Sequence, residues 1–267
     1  MLRDVIRKVI PIKYRQDIGR WTIYQAGKSK LLLYPYLFML CGDIPRGLKL
    51  IPNQEGEVSF RGYDILFPRD GVLAAMEVLQ DEIYEKYYSP QNGDTVIDVG
   101  AYVGMFTVKA SLQVGKKGRV IAIEPASSNI RYLVRNTSSF ENVIVVPLAA
   151  GSSSGDGNLT LSWATPCHTL IPHSGNRTET IKIDTLDNIV SNLRIEKVEF
   201  IKIDAEGWEL EILKGASKIL KDNKLRLAVA SYHNLPTGEY ELPQVCQLLT
   251  SAGFKIKVVK GYVYAKN

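Results

Sequence analysis

The sequence predicts an α/β fold built on an open, mostly parallel sheet, and three observations carry that prediction. Short apolar runs alternate with helical spans: residues 95–99 (TVIDV) and 119–123 (RVIAI) flank a glycine turn, a helix and a glycine loop. Runs of this kind suit parallel strands covered on both faces. Polar residues then cluster at the ends of such runs, with Asp98, Glu124 and Asp204 placed where open α/β sheets receive ligands. Finally, 267 residues are enough for one substantial core and a smaller appendage.

Each element follows in chain order. Residues 1–50 read as a helical region that ends in irregular chain. Leu2, Val5, Ile6, Val9 and Ile10 keep helical spacing, with Arg3, Arg7 and Lys8 on the remaining arc until Pro11. Such a helix docks on the protein itself or lies on an anionic membrane surface, so peripheral membrane contact through residues 1–12 is one expectation. Residues 31–40 (LLLYPYLFML) carry Pro35 and are too short to span a bilayer. Residues 57–68 read as two short strands turning at Arg61-Gly62, and residues 72–87 as a helix. Residues 1–90 therefore form an N-terminal extension, and residues 91–267 the main domain.

Within that domain, strands are predicted at 95–99, 119–123, 143–148, 200–203 and 225–230. Helices are predicted at 128–138, 186–191, 206–220 and 242–252. Residues 149–157 (AAGSSSGDG) read as a flexible loop and 159–163 as a short added strand. Residues 164–178, with His168 and His173, read as a long polar loop, and 181–183 as a further strand. Residues 254–259 and 262–265 form a hairpin across Lys260-Gly261, which gives the sheet an antiparallel edge.

The glycine turn DVGAYVGMF (98–106) departs from the dinucleotide pattern G-x-G-x-x-G. Tyr102 stands where a glycine would admit a pyrophosphate. Asp98 repels phosphate and suits a cationic or hydrogen-bond-donating ligand. Glu124, at the end of the next strand, is placed to accept hydrogen bonds from a ribose diol. S-adenosylmethionine has a ribose, a positively charged methionine portion and no phosphate, and is the predicted cofactor. The predicted contacts are Asp98, Gly100, Ala101, Tyr102, Gly104, Phe106, Glu124, Pro125, Ala149 and Asp204.

The predicted catalytic residues are His233, Asp204 and Glu206. A neutral imidazole at the strand end VAVASYH is the expected general base for an alcohol, with the two carboxylates positioning the acceptor. Asp204 and Glu206 offer two oxygen ligands to a cation, but no third stands out, and no metal is assigned.

Composition excludes several other classes. Apolar content of 45% and charged content of 23% are ordinary for a globular chain. Cys41, Cys167 and Cys246 have no CxxC spacing, so neither a disulfide framework nor a cysteine zinc site is expected, and a reducing, cytoplasmic setting is. Net charge is +5, while residues 1–30 hold eight Lys and Arg against two Asp, a balance of +6. That leaves −1 for the rest, which argues against a nucleic-acid groove there.

The motifs together resemble the FkbM-type family of class I S-adenosylmethionine-dependent methyltransferases. The resemblance rests on VIDVGAYVGMFTVKAS (96–111), IAIEP (121–125), IKIDTLDNI (181–189) and FIKIDAEGWELEILKGA (200–216). The last is the most specific, with Asp204, Glu206, Gly207, Glu209, Leu213, Gly215 and Ala216 matching the family hallmark. The resemblance implies a seven-stranded Rossmann-like fold and methylation of a hydroxyl on a sugar, glycan, lipid-linked acceptor or other small molecule. It also implies Glu124 at the ribose and Asp98 near the methionine end. Two departures stand out: Asp156 lies where relatives place an acidic residue nearer the glycine, and Ser231-Tyr232 precede His233 where an acid is common. Methylation of RNA or protein, and a non-catalytic adenosyl-cofactor-binding protein, are the alternatives.

Overall fold

The computed structural model describes residues 48–50, 57–60, 63, 65–162, 165–172, 177–222, 224–233 and 240–267. The expectations for the N-terminal helix, the apolar segment 31–40, the Arg61-Gly62 turn and His173 lie outside these residues. Contacts divide the chain into two compact units, Met1–Met76 and Glu77–Asn267. In the first, β1 (Leu48–Leu50), β2 (Glu57–Phe60) and β3 (Ile65–Pro68) form an antiparallel sheet in that order. Where one helix is expected over 72–87, the chain is helical over Val72–Ala75, continues as a π-helix over Met76–Gln80 and makes a further single turn at Ile83–Glu85. Glu82, in the left-handed region at φ 50°, interrupts the pattern just before that last turn.

The second unit holds a seven-stranded sheet. Its strands are β4 (Thr95–Val99), β5 (Arg119–Ile123), β6 (Val143–Val146), β10 (Phe200–Ile203), β11 (Arg226–Ala230), β12 (Lys255–Val259) and β13 (Tyr262–Lys266). The spatial order is β12-β13-β11-β10-β4-β5-β6. From β6 to β11 all pairings are parallel, and β13 runs antiparallel to both its neighbours. This is the α/β, Rossmann-like seven-stranded architecture that the resemblance implies. The hairpin turn at Lys260 (φ 51°) and Gly261 (φ 84°) has two left-handed residues, as a two-residue turn between twisted strands requires.

The hairpin does not simply extend the sheet by a reversed edge. The reversed strand β13 sits inside, next to β11, and the lysine-bearing β12 forms the edge. Burial explains the choice. Tyr262, Val263, Tyr264 and Ala265 are all buried, whereas Lys255, Lys257 and Val258 of β12 are exposed. Lysines on an edge strand discourage pairing with another chain.

Helices α1 (Met105–Val114), α2 (Ser127–Thr137), α3 (Leu186–Asn192), α4 (Glu209–Lys214) and α5 (Leu242–Ser251) connect these strands. Ile97, Ile121 and Ile201 are fully buried at the sheet centre. Burial of each such side chain contributes roughly 1.5–3 kcal/mol. The helix expected over 206–220 is much shorter, because Glu206 (φ 52°) and Gly207 (φ 93°) are left-handed and delay its start. Asp187, in the family-like Leu-Asp pair, ties down the chain beyond α4 by accepting from the backbone of Lys218 (2.8 Å) and Ile219 (3.0 Å).

Beside the main sheet, β7 (Ala149–Ala150), β8 (Gly155–Leu161) and β9 (Arg177–Asp184) make a smaller sheet in the order β7-β9-β8. The loop predicted over 149–157 is thus largely strand. Leu159, Ile181, Ala126 and Ala149 pack together beneath it.

Sequence order reverses direction between β4 and β10. One half of the chain builds outward through β5 and β6, the other through β11, and the crevice between is where such sheets bind ligands. A buried ion pair holds that junction. Register places Lys202 opposite Asp98, and Lys202 Nζ lies 3.0 Å from Asp98 Oδ1. Thr107 Oγ1 donates to Asp98 Oδ2 at 2.6 Å, and Lys202 also donates to the Gly100 carbonyl at 2.6 Å. Asp98 is 0% exposed. Removing one partner of a buried pair leaves an uncompensated charge. Lys202→Met should therefore destabilise the protein by about 3–5 kcal/mol in urea unfolding. Asp98→Asn combined with Lys202→Met should recover a large part of that loss, and a single-variant cost below about 1 kcal/mol would contradict this assignment.

Candidate active site

A cleft opens at the carboxyl ends of β4, β5 and β10. Gly100, Tyr102, Glu124, Pro125, Ala149, Asp204 and Glu206 of the predicted residues line it. Asp98, Ala101, Gly104, Phe106 and His233 are not among its lining residues. Asp98 was expected to face a cationic ligand, but Lys202 and Thr107 take up its two oxygens. The sequence hides this because Lys202 meets Asp98 only through strand pairing. Ala101 is buried, and its N–H donates to the Ile123 carbonyl. Gly104 precedes α1 with φ 91°, and Phe106 packs against Tyr84 and Phe200 in the core.

Gly100 is required by close approach. Its φ is +72°, and a Cβ there would sit 1.8 Å from the Asp204 carbonyl oxygen. The cofactor turn and the Asp204 loop therefore touch through backbone.

Glu124 is the best-defined polar group on the cofactor side. Its carboxylate accepts from the N–H groups of Tyr102 (2.9 Å) and Ala126 (3.0 Å) and from the Asn129 amide (3.1 Å). Tyr102 reaches this position through a left-handed backbone at φ 54°. A carboxylate has roughly four acceptor positions, so three protein donors leave about one position free to accept from a ligand hydroxyl. Burial pushes the Glu124 pKa up to about 7, against the lowering effect of those donors and of Lys202.

The rest of the cleft suits an adenosyl group. Pro125, Leu159 and Leu170 supply apolar surface, and the Trp208 indole N–H is buried with no hydrogen-bond partner. Asn129, Leu159, Leu170 and Trp208 escaped the sequence reading. Leu159 and Leu170 reach the cleft only because β8 and the following loop fold back over the sheet, with Thr160 bridging Thr169. His168 also lines the cleft, and its Nδ1 accepts from the Ser162 N–H at 3.1 Å. Asp156 does not take up a cofactor contact; it pairs with Lys182 at the surface.

Asp204, Glu206 and His233 do converge. His233 Nε2 lies 3.7 Å from Asp204 Oδ1 and 3.6 Å from Glu206 Oε2, and Nδ1 lies 3.1 Å from Glu209 Oε1. The Tyr84 hydroxyl donates to Asp204 Oδ2. Glu209 is fully buried and also accepts from the N–H groups of Ala205 (2.9 Å) and Gly207, so it braces the whole 204–207 loop. Its partner role was invisible in the sequence, where it appeared only as a motif position.

The expected neutral imidazole is not what this setting favours. Burial opposes charge on His233, but Glu209, Glu206 and Asp204 outweigh it and push its pKa up to about 10. Burial likewise works against charge on Glu209, yet His233 and the surrounding donors bring its pKa down. Glu241 shifts the other way, raised by its own burial and by Glu209 beside it. An imidazole so surrounded holds a cation rather than removing a proton, which leaves proton acceptance to the carboxylates.

A mostly parallel seven-stranded sheet, a glycine turn without the dinucleotide pattern and a buried glutamate with spare acceptor capacity meet at this cleft, an arrangement that suits a nucleoside-bearing cofactor. Residues 98–256 match the methyltransferase FkbM domain, and the chain belongs to that family. It is 27% identical over 183 residues to the hexuronic acid methyltransferase AglP of Haloferax volcanii, covering 68% of this chain and 72% of that protein. It is also 27% identical over 214 residues to the methyltransferase sdnD of Sordaria araneosa, covering 67% of this chain and 80% of that protein. Among solved structures, an FkbM methyltransferase from Methylobacillus flagellatus aligns with TM-score 0.48 and 20% identity, over 74% of this chain and 54% of that one. Fibrillarin from Aeropyrum pernix, with natively bound S-adenosyl-L-methionine, aligns with TM-score 0.48 and 16% identity, over 85% and 86%. The chain is a methyltransferase.

Glu124 gives this cofactor site a pH signature. Its ionised form accepts a hydrogen bond from a ligand hydroxyl, and a pKa of about 7 puts the loss of that form just below neutrality. Lowering the pH from 8 to 6 should weaken S-adenosylmethionine binding about tenfold in calorimetry. Glu124→Gln should bind weakly at both values, with little dependence on pH; an unchanged native affinity at pH 6 would contradict the role given to this carboxylate.

Proposed function

We propose that the protein transfers a methyl group from S-adenosylmethionine to a neutral hydroxyl of a sugar, glycan or other polyhydroxylated small molecule. The observation that carries this reading is the pair Asp204 and Glu206 at the cleft, backed by a cation-holding His233. Two carboxylates can accept hydrogen bonds from vicinal hydroxyls and take the proton that a hydroxyl loses on methylation. Among the described residues that line the cleft there is no Lys or Arg to pair with a phosphate-bearing acceptor. The same lack disfavours an RNA substrate, whose binding rests on phosphate neutralisation. The relative in Haloferax volcanii is named for a hexuronic acid, a sugar-derived acceptor, and this supports a carbohydrate class here.

When bound, S-adenosylmethionine supplies a methyl group on a cationic sulfur that leaves as a neutral thioether. The net products are a methyl ether, S-adenosylhomocysteine and one proton. Asp204 and Glu206 orient the acceptor hydroxyl and receive that proton. His233 keeps the two carboxylates in place, Glu209 keeps His233 in place, and alignment supplies much of the rate. Tyr84 fixes the rotamer of Asp204 through its hydroxyl.

The test is incubation with isotopically labelled methyl donor and a panel of monosaccharides, oligosaccharides and polyols, with products resolved by mass spectrometry and NMR. A methyl ether is the expected product. Glu206→Gln should lower kcat by roughly 100-fold or more while leaving cofactor affinity within about twofold. Labelling confined to carboxylates, RNA or protein would refute the hydroxyl assignment.

A further inference from the structure

We propose that Asp204, Glu206 and His233 form a binding site for one divalent metal ion of the manganese or zinc kind. The sequence shows only two ligands, Asp204 and Glu206, side by side at one strand end. Folding adds the third from the end of β11. One ligand atom from each residue lies within 4.8 Å of the other two. Ligands bound at about 2.1 Å to one ion stand roughly 3–4.3 Å apart, so the separations of 3.6 and 3.7 Å from His233 Nε2 already match.

Each donor atom is aimed by something behind it. His233 is 8% exposed, and its Nε2 has no hydrogen-bond partner among the described residues. Glu209 Oε1 sits against Nδ1, the arrangement in which a carboxylate orients a metal-binding imidazole and presents the other nitrogen to the ion, which on binding displaces the proton that Nε2 carries in the metal-free protein. The Tyr84 hydroxyl occupies Asp204 Oδ2, while Asp204 Oδ1 is buried, without a hydrogen bond, and faces His233. Glu206 reaches the cluster from a left-handed backbone that few non-glycine residues adopt.

The donor set selects the ion. Two carboxylates and one imidazole suit manganese or zinc better than magnesium or calcium, which prefer oxygen throughout. Three ligands leave open coordination positions, and Asp204 and Glu206 both line the cleft, so those positions are available to an oxygen of the acceptor. The cation site stands on this geometry alone; only its use in methyl transfer rests on the reading above.

Metal binding can be tested with the full chain, stripped by a chelator and free of cofactor, by titration with MnCl₂ while electron paramagnetic resonance follows the free-ion signal. Loss of that signal up to one equivalent is expected. His233→Gln and Glu206→Gln should each weaken binding about tenfold or more. Glu206 is partly exposed, so its variant should keep the native melting temperature and S-adenosylmethionine affinity, which separates loss of metal from loss of fold or cofactor site. A native chain that leaves the free-ion signal unchanged, or variants that bind manganese as the native chain does, would overturn the proposal. Neither result bears on whether a methyl ether is formed.

Discussion

Lys202 is the residue on which the geometry of both halves of the site depends. It stands on β10, pairs with Asp98 on β4, and donates to the carbonyl of Gly100 at the first bend of the cofactor turn. One ammonium group thus joins the strand that carries the cofactor turn to the strand that carries Asp204. Buried ion pairs give little net stability compared with apolar packing, but breaking one is costly. What this pair contributes is register: Lys202 opposite Asp98 sets Ile203 opposite Val99, and brings Asp204 against Gly100.

From that junction the electrostatics divide into two neighbourhoods. On the cofactor side a single buried carboxylate, Glu124, is met by neutral donors and keeps a pKa near neutrality. On the other side Asp204, Glu206 and Glu209 gather round one imidazole, and Glu241 adjoins Glu209. The first neighbourhood suits a neutral hydrogen-bond donor. The second concentrates negative charge and therefore stabilises positive charge, whether on His233, on a metal ion or on a proton arriving from a substrate. The aromatic groups Tyr84, Tyr232 and Tyr262 pack beside it and help to exclude water.

Much of the frame was legible from local pattern. Five parallel strands, the glycine turn and the final hairpin appear in the sequence because apolar runs and turn residues are read over a few positions. Glu124 was legible for the same reason: a carboxylate at a strand end, one strand beyond a glycine turn, has little choice of neighbourhood. Asp98 was misjudged because the same local reading cannot see Lys202, more than a hundred residues away in sequence and adjacent in the sheet. His233 does meet Asp204 and Glu206, but it was expected to be neutral, since the sequence shows the imidazole without the three carboxylates that surround it. The helix after Asp204 was drawn too long, because nothing in the residue types announces the left-handed backbone at Glu206.

The sequence by itself determined the family, the order of the elements, the phosphate-free character of the cofactor turn and the identity of the carboxylates. These depend on residue type and short spacing, which a linear reading preserves. Tertiary structure alone decided which carboxylates are neutralised, which histidine nitrogen is held and which strand forms the sheet edge. It also brought Leu159, Leu170 and Trp208 to the cleft. Charge state and cavity lining depend on neighbours in space, and in a parallel sheet neighbours in space are separated by whole helices along the chain.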